Sequence, residues 1–143
     1  MKYSIARYWR EKHSYYRLKA TKCLKCNKIN YPPSKVCRYC GSRELEDIEL
    51  FGPAKVLTWT TIYTTPNGYE EYKPLIIAMV ELLGTGVRIL TRLTDIDPEE
   101  VREGMLIEPV LRRTSEDGEA GIIRYALLFR PLIKGAPEIG SNK

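Results

Sequence analysis

The chain has 143 residues, 43% of them hydrophobic and 29% charged, with a formal net charge of +5. That length suits one domain, or a compact domain carrying a small module, and excludes a bare zinc finger or two full-sized domains. No apolar run approaches the ~20 residues needed to span a bilayer. The opening "MKYSIARYWREKHSYY" lacks the apolar segment and small-residue cleavage site of a signal peptide, which predicts a cytoplasmic protein.

Residues 3–19 read as a helix, with Ile5, Tyr8, Trp9 and Lys12 near one face at i, i+3, i+4 and i+7. The segment is rich in aromatics: Tyr3, Tyr8, Trp9, Tyr15 and Tyr16. Two roles suit them, packing against the rest of their own domain or docking a partner. In the docking reading Tyr8, Trp9, Tyr15 and Tyr16 form the contact surface.

Next comes "TKCLKCNKINYPPSKVCRYCGS" (21–42), which holds all four cysteines as two CxxC pairs separated by ten residues. In a reducing cytosol this pattern favours metal over disulfides. Each CxxC turn brings two sulfurs together near free backbone N–H groups. Two such turns close a tetrahedral all-sulfur shell at ~2.3 Å per bond. Cys23, Cys26, Cys37 and Cys40 are therefore the metal ligands, Gly41 gives the second turn its backbone freedom, and Pro32 and Pro33 stiffen the loop between. A closed thiolate shell leaves no position for water, so the zinc is structural. Iron in a rubredoxin-type site would use the same ligands.

Beyond residue 43 the pattern becomes strand-like. "LEDIEL" alternates, Gly52-Pro53 interrupts it, and "AKVLTWTTIYTT" is rich in β-branched and aromatic residues. "PNGYEEYKP" (66–74) is a loop, and "LIIAMVELL" and "VRILTRLT" are strands joined by "GTG". "DIDPEEVREG" reads as one helical turn with Asp97 as N-cap and Pro98 at the first helical position. "MLIEPVLRRT" and "GIIRYALLFRP" form a last strand pair, and the tail "KGAPEIGSNK" is expected to be mobile. Five strands with one helical turn between the third and fourth predict a five-stranded OB-fold barrel. The expected organisation is an N-terminal helical segment (1–19), a zinc ribbon (20–43), an OB-fold (44–133) and a flexible tail (134–143), mostly β.

Enzymatic motifs are missing. His13 is the only histidine and sits beside Lys12 on the basic helix; GxSxG, Walker A and GxGxxG patterns are absent. The acids Asp95, Asp97, Glu99 and Glu100 suit helix capping and dipole compensation better than a divalent metal. With the cysteines on a metal, no nucleophile–base pair remains, and the chain reads as an accessory protein without catalytic residues of its own.

The order of motifs closely resembles the "domain of unknown function 35" family. "RYW" lies in the helix, followed by "KCLKCNKINYPPSKVCRYCGS", "GPAKVLTWTTIY", "PLIIAMVELL", "VRILTRLTDIDPEEVREGM" and "LLFRP", spanning roughly residues 5–132. The resemblance implies a rubredoxin-like zinc ribbon and an OB-fold in an acyl-CoA-associated protein. Archaeal members resemble a scaffold that joins an acetoacetyl-CoA thiolase to hydroxymethylglutaryl-CoA synthase at the start of the mevalonate pathway, and bacterial relatives pair with thiolase-like enzymes. It further implies a CoA-binding face on the barrel, for which Tyr63, Tyr69, Tyr72, Arg88 and Arg92 are the candidates. Arg88 and Arg92 share a strand face, with Leu90 between them. A solvated barrel exterior suits the same residues.

A nucleic-acid-binding zinc-ribbon and OB-fold protein is the alternative. Residues 1–43 carry twelve Lys and Arg against Glu11 alone, a net +11 that four zinc-bound thiolates reduce to about +9. Residues 44–143 carry eleven against seventeen acids, net −6, the wrong sign for a barrel groove that tracks a phosphate backbone.

Overall fold

The computed structural model describes residues 4–133, the Tyr15 side chain excepted. Tyr3 and the predicted tail 134–143 lie outside the described residues. The chain divides into two compact units. One takes residues up to Phe51 together with Leu111–Leu127, and the other takes Gly52–Val110 and the residues from Leu128 onward.

The first unit opens with helix α1, Ile5–Tyr16. Ser4 caps it by accepting the Arg7 N–H on its hydroxyl, at 3.4 Å. The helix ends earlier than the expected 3–19 because Arg17 turns extended and Leu18 enters a strand. Tyr8 and Tyr16 share a hydroxyl–hydroxyl hydrogen bond at 3.3 Å, and the Tyr8 hydroxyl also accepts the Tyr125 backbone N–H at 3.3 Å.

Three strands follow: β1 (Leu18–Cys23), β2 (Ile29–Asn30) and β3 (Leu45–Leu50). They form an antiparallel sheet in the order β2-β1-β3, with Leu18 opposite Leu50 and Cys23 opposite Leu45. Two placements differ from the sequence reading. Leu18 and Lys19, read as helix, are strand, with Leu18 buried in antiparallel pairing opposite Leu50. "LEDIEL", grouped with the barrel residues 44–133, is the third ribbon strand. An alternating segment declares itself a strand without declaring which sheet it joins.

The second unit is a closed barrel in the order β4-β5-β6-β8-β7. Its strands are β4 (Ala54–Ile62), β5 (Leu75–Leu82), β6 (Arg88–Leu93), β7 (Leu106–Glu116) and β8 (Ile123–Pro131). Residues 111–127 of the last two strands group with the first unit. β4 pairs antiparallel with β5 and β7, and β5 with β6, while β6 and β8 run parallel at Leu93 and Phe129. Every second residue of β5 from Ile76 is buried, and Val56, Val80, Leu82, Ile107 and Phe129 fill the interior. A bulge between Val56 and Thr58 bends β4 into the barrel wall.

The segment between β6 and β7 is a 3-10 turn, Pro98–Glu100. Asp97 stands at its cap with extended dihedrals, but its side chain makes no capping bond; the closure is the Glu100 N–H donating to the Asp97 carbonyl at 3.0 Å. The charge assignment also changes. Glu44, Glu46, Asp47 and Glu49 lie before Gly52, in the ribbon unit. Among the described residues the barrel unit then carries six Lys and Arg against nine acids, net −3, where residues 44–143 as a whole carry −6. No helix among the described residues is long and apolar enough to cross a membrane.

Candidate metal centre and ligand face

The cysteine turns are built alike. The Cys23 N–H donates to the Lys28 carbonyl at 2.9 Å, and the Asn27 N–H returns to the Cys23 carbonyl at 2.9 Å. In the second turn the Cys37 N–H donates to Ser42 at 2.8 Å, and Gly41 returns to Cys37 at 3.0 Å. Asn27 and Gly41 occupy the same place in the two turns, with φ of 56° and 71°. Asparagine and glycine are residues that tolerate this left-handed conformation. Gly41 was legible in the sequence; Asn27 was not, because an Asn within a CxxCN run carries no period.

The four Sγ atoms lie within 4.8 Å of one another, with Cys23 3.5 Å from Cys40 and Cys26 3.6 Å from Cys37. A tetrahedron of sulfurs at ~2.3 Å from zinc has edges of about 3.8 Å, so the donor set fits that ion. Burial works to raise the Cys37 thiol, but the Tyr39 and Cys40 backbone N–H groups and the Cys26 and Cys40 sulfurs outweigh it and bring it down to about 6. For Cys40 the Ser42 N–H works downward, yet burial and the sulfurs of Cys23, Cys26 and Cys37 push it up to about 12. Four adjacent thiols cannot all ionise without a cation among them, and a divalent metal supplies that charge. Cys23 and Cys37 are buried, and Cys40 is exposed. No other group of three or more His, Cys, Asp or Glu side chains among the described residues converges as a metal site.

A buried asparagine supports this centre. The Asn30 Nδ2 donates to the Cys37 sulfur at 3.8 Å and to the Thr21 carbonyl at 3.4 Å, while its Oδ1 accepts the Arg38 N–H at 3.0 Å. Sequence reasoning missed it, since nothing in "KINYPP" marks Asn30 as the end of a strand beside the cysteines.

The barrel brings part of the predicted ligand set together. The Arg92 guanidinium lies 4.7 Å from the Tyr72 ring centroid, and Tyr69 and Tyr72 approach at 6.4 Å between centroids. Burial lowers the Arg92 pKa from its ordinary value, opposed by Tyr72 and Tyr69. An open cavity of about 490 Å³ is lined by Tyr72, Lys73 and Arg92 with Glu71, Asp95, Asp97 and Glu100. Lys73 and the four carboxylates were not among the sequence candidates for a ligand. Tyr69 meets Tyr72 without lining the cavity, and two more of the expected residues stand elsewhere. Arg88 pairs with Glu81 at 3.4 Å, where Lys55 also binds at 3.1 Å, and Tyr63 is 71% exposed outside the cavity lining. Leu90, between the two arginines on β6, is 68% exposed, so no continuous basic stripe joins them.

On α1, Trp9 is 59% exposed with Lys12 stacked 4.5 Å from its ring centroid, and Ile5 is exposed beside it. Tyr8 and Tyr16 are occupied with each other and are part-buried, and the Tyr15 side chain lies outside the described residues. Of the aromatics grouped as a docking surface, Trp9 is the exposed one among the described side chains.

Comparison with known proteins gives two adjoining family matches. Residues 16–46 match the profile described as "ChsH2, rubredoxin-like zinc ribbon domain", and residues 47–112 match "ChsH2, C-terminal OB-fold domain". A "DUF35 domain-containing scaffold protein" of Pyrococcus furiosus is 42% identical over 130 residues, covering 91% of this chain and 94% of that protein. A "Probable enoyl-CoA hydratase alpha subunit" of Thermomonospora curvata is 31% identical over 98 residues, 68% of this chain but 30% of its own length. Among solved structures, the "Ltp2-ChsH2(DUF35) aldolase" superposes with a TM-score of 0.65 and 28% identity, over 92% of this chain and 96% of the other.

Proposed function

We propose that this chain, which belongs to the DUF35 family of zinc-ribbon and OB-fold proteins, is a non-catalytic scaffold that binds acyl-CoA and bridges a thiolase and hydroxymethylglutaryl-CoA synthase in the cytoplasm. The observation that carries the reading is the chain-long match to a relative described as a DUF35 scaffold protein. The likeness to a DUF35 chain described as part of the Ltp2-ChsH2 aldolase supports an enzyme partner. Cys23, Cys26, Cys37 and Cys40 hold zinc for structure, and Trp9 on α1 offers an exposed aromatic to a partner.

The chemistry explains why a scaffold is useful. Claisen condensation of two acetyl-CoA units to acetoacetyl-CoA and free CoA is uphill, and immediate use of the product by the synthase draws it forward. A chain holding both enzymes, and part of the CoA they share, shortens that transfer. On the barrel the CoA reading rests on Tyr72, Arg92 and Lys73. Two cations facing four carboxylates disfavour a bare polyphosphate. The same surplus of carboxylates opposes the phosphates of CoA, so on this reading they meet Arg92 and Lys73 at the edge of the lining.

The test is a coupled assay with purified thiolase and synthase at limiting acetyl-CoA. The reading predicts that adding this chain raises flux to hydroxymethylglutaryl-CoA while each enzyme alone keeps its rate. Unchanged flux, with neither enzyme bound, overturns it.

A further inference from the structure

We infer that the two cysteine turns form a docking surface for an acidic segment of a protein partner, an inference that rests on the scaffold reading above. Residues 24–43 contain Lys25, Lys28, Lys35, Arg38 and Arg43 and no Asp or Glu. Each of the five lies within three residues of a cysteine whose sulfur is within 4.8 Å of the other three, which seats their backbones on the two turns and the loop between them.

Their charges are not spent on carboxylates, although Lys28 lies over the Tyr39 ring. None of the five makes an ion pair among the described residues. Several cations elsewhere do have carboxylate partners: Arg17 with Glu49, Lys55 and Arg88 sharing Glu81, Arg130 with Glu108. Even with a zinc–thiolate centre of net −2, the patch keeps about +3. The closed turns fix the backbone beneath it, so the ordering cost of binding falls on the Lys and Arg side chains.

The patch is also apolar at its tips. Leu24 and Tyr39, one in each CxxC turn, are 58% and 60% exposed, with Val36 exposed alongside. Apolar side chains ringed by Lys and Arg match the pattern of a protein interface with an acidic partner. A nucleic-acid strand fits less well, because it needs successive aromatic platforms. Tyr31 is half-buried, the Tyr39 ring already carries Lys28 at 4.6 Å from its centroid, and Leu24 and Val36 offer no stacking face.

The test measures binding of the full chain to purified acetoacetyl-CoA thiolase and to hydroxymethylglutaryl-CoA synthase, at two salt concentrations. The triple variant Lys25→Glu, Lys28→Glu, Arg38→Glu is compared with wild type, after zinc content and melting behaviour establish that it folds. If the reversals disturb the fold, the milder pair Lys25→Gln and Arg38→Gln replaces them. We expect the triple variant to bind one enzyme at least about tenfold more weakly, and its affinity to depend less on salt; the pair should lose about threefold. Wild-type binding with unchanged variants overturns this surface and leaves the scaffold standing. Wild type binding neither enzyme overturns both. Loss of a single-stranded oligonucleotide by the variant, with enzyme binding intact, reassigns the patch to nucleic acid and overturns the inference.

Discussion

Asn30 points its amide at the Cys37 sulfur, 3.8 Å away, from a fully buried position that also ties the Thr21 carbonyl and the Arg38 N–H. Side chains of this kind hold a metal ligand in place and stabilise its charge. Asn30→Ala should lower zinc affinity about 10- to 100-fold, read by chelator competition and by the shift of the cobalt-substituted spectrum. Affinity within about twofold of wild type would remove Asn30 from the centre.

Cys37→Ser removes one of the four sulfurs. The expected result is loss of bound zinc and of the cooperative melting of residues 18–50. Structural zinc contributes on the order of 10 kcal/mol to the folding of small zinc domains. Metal analysis and thermal melts with and without EDTA check this. A variant that keeps its metal content and melting behaviour contradicts a closed four-cysteine site.

Phe129 is fully buried in the barrel, where β8 meets β6. Phe129→Ala should destabilise by about 3–5 kcal/mol through lost transfer energy and a cavity. Urea unfolding measures it, with a lower midpoint and an unchanged slope expected.

Glu81 accepts from Lys55 and lies beside Arg88, and the Lys55 hydrogen bond leads the causes that hold its carboxyl below the usual glutamate value. For a depressed acid, the stabilisation is complete above the unfolded value of about 4.3 and fades as pH falls through the folded one. Glu81→Gln should therefore be less stable than wild type at neutral pH, and the gap should close in acid. A gap that stays constant from pH 7 to pH 3 contradicts the pairing.

On the CoA reading, Arg92→Ala and Tyr72→Ala should each weaken CoA binding about tenfold, roughly 1.4 kcal/mol. Arg88→Ala and Tyr63→Ala should leave it within about twofold, because Arg88 is engaged with Glu81 and both stand apart from the cavity lining. Calorimetry with CoA, with and without the partner enzymes, separates the two pairs. Equal losses at all four positions would return the whole stripe to consideration.

Features carried by spacing and period were legible in the sequence. The CxxC pairs announced the metal centre, and apolar, β-branched runs bounded by turn signals announced the five barrel strands. What depended on long-range pairing was not. "RLK" at 17–19 has good helix propensity and no breaker, and extended pairing of Leu18 with Leu50 overrides it. The acids of "LEDIEL" counted toward the barrel until their strand paired with β1, which weakens the charge argument against nucleic acid on the barrel. Arg88 and Arg92 look equivalent along β6, yet Glu81 sits across from one and Tyr72 stacks on the other. Asn30 is invisible in the sequence because its role arises from burial.

The most direct measurement is sedimentation of nuclease-treated thiolase, hydroxymethylglutaryl-CoA synthase and this chain, mixed in pairs and together. The account predicts that the two enzymes sediment separately without the chain and as one three-component species with it. Separate sedimentation of the enzymes in the full mixture, with the chain folded and zinc-loaded, would contradict it.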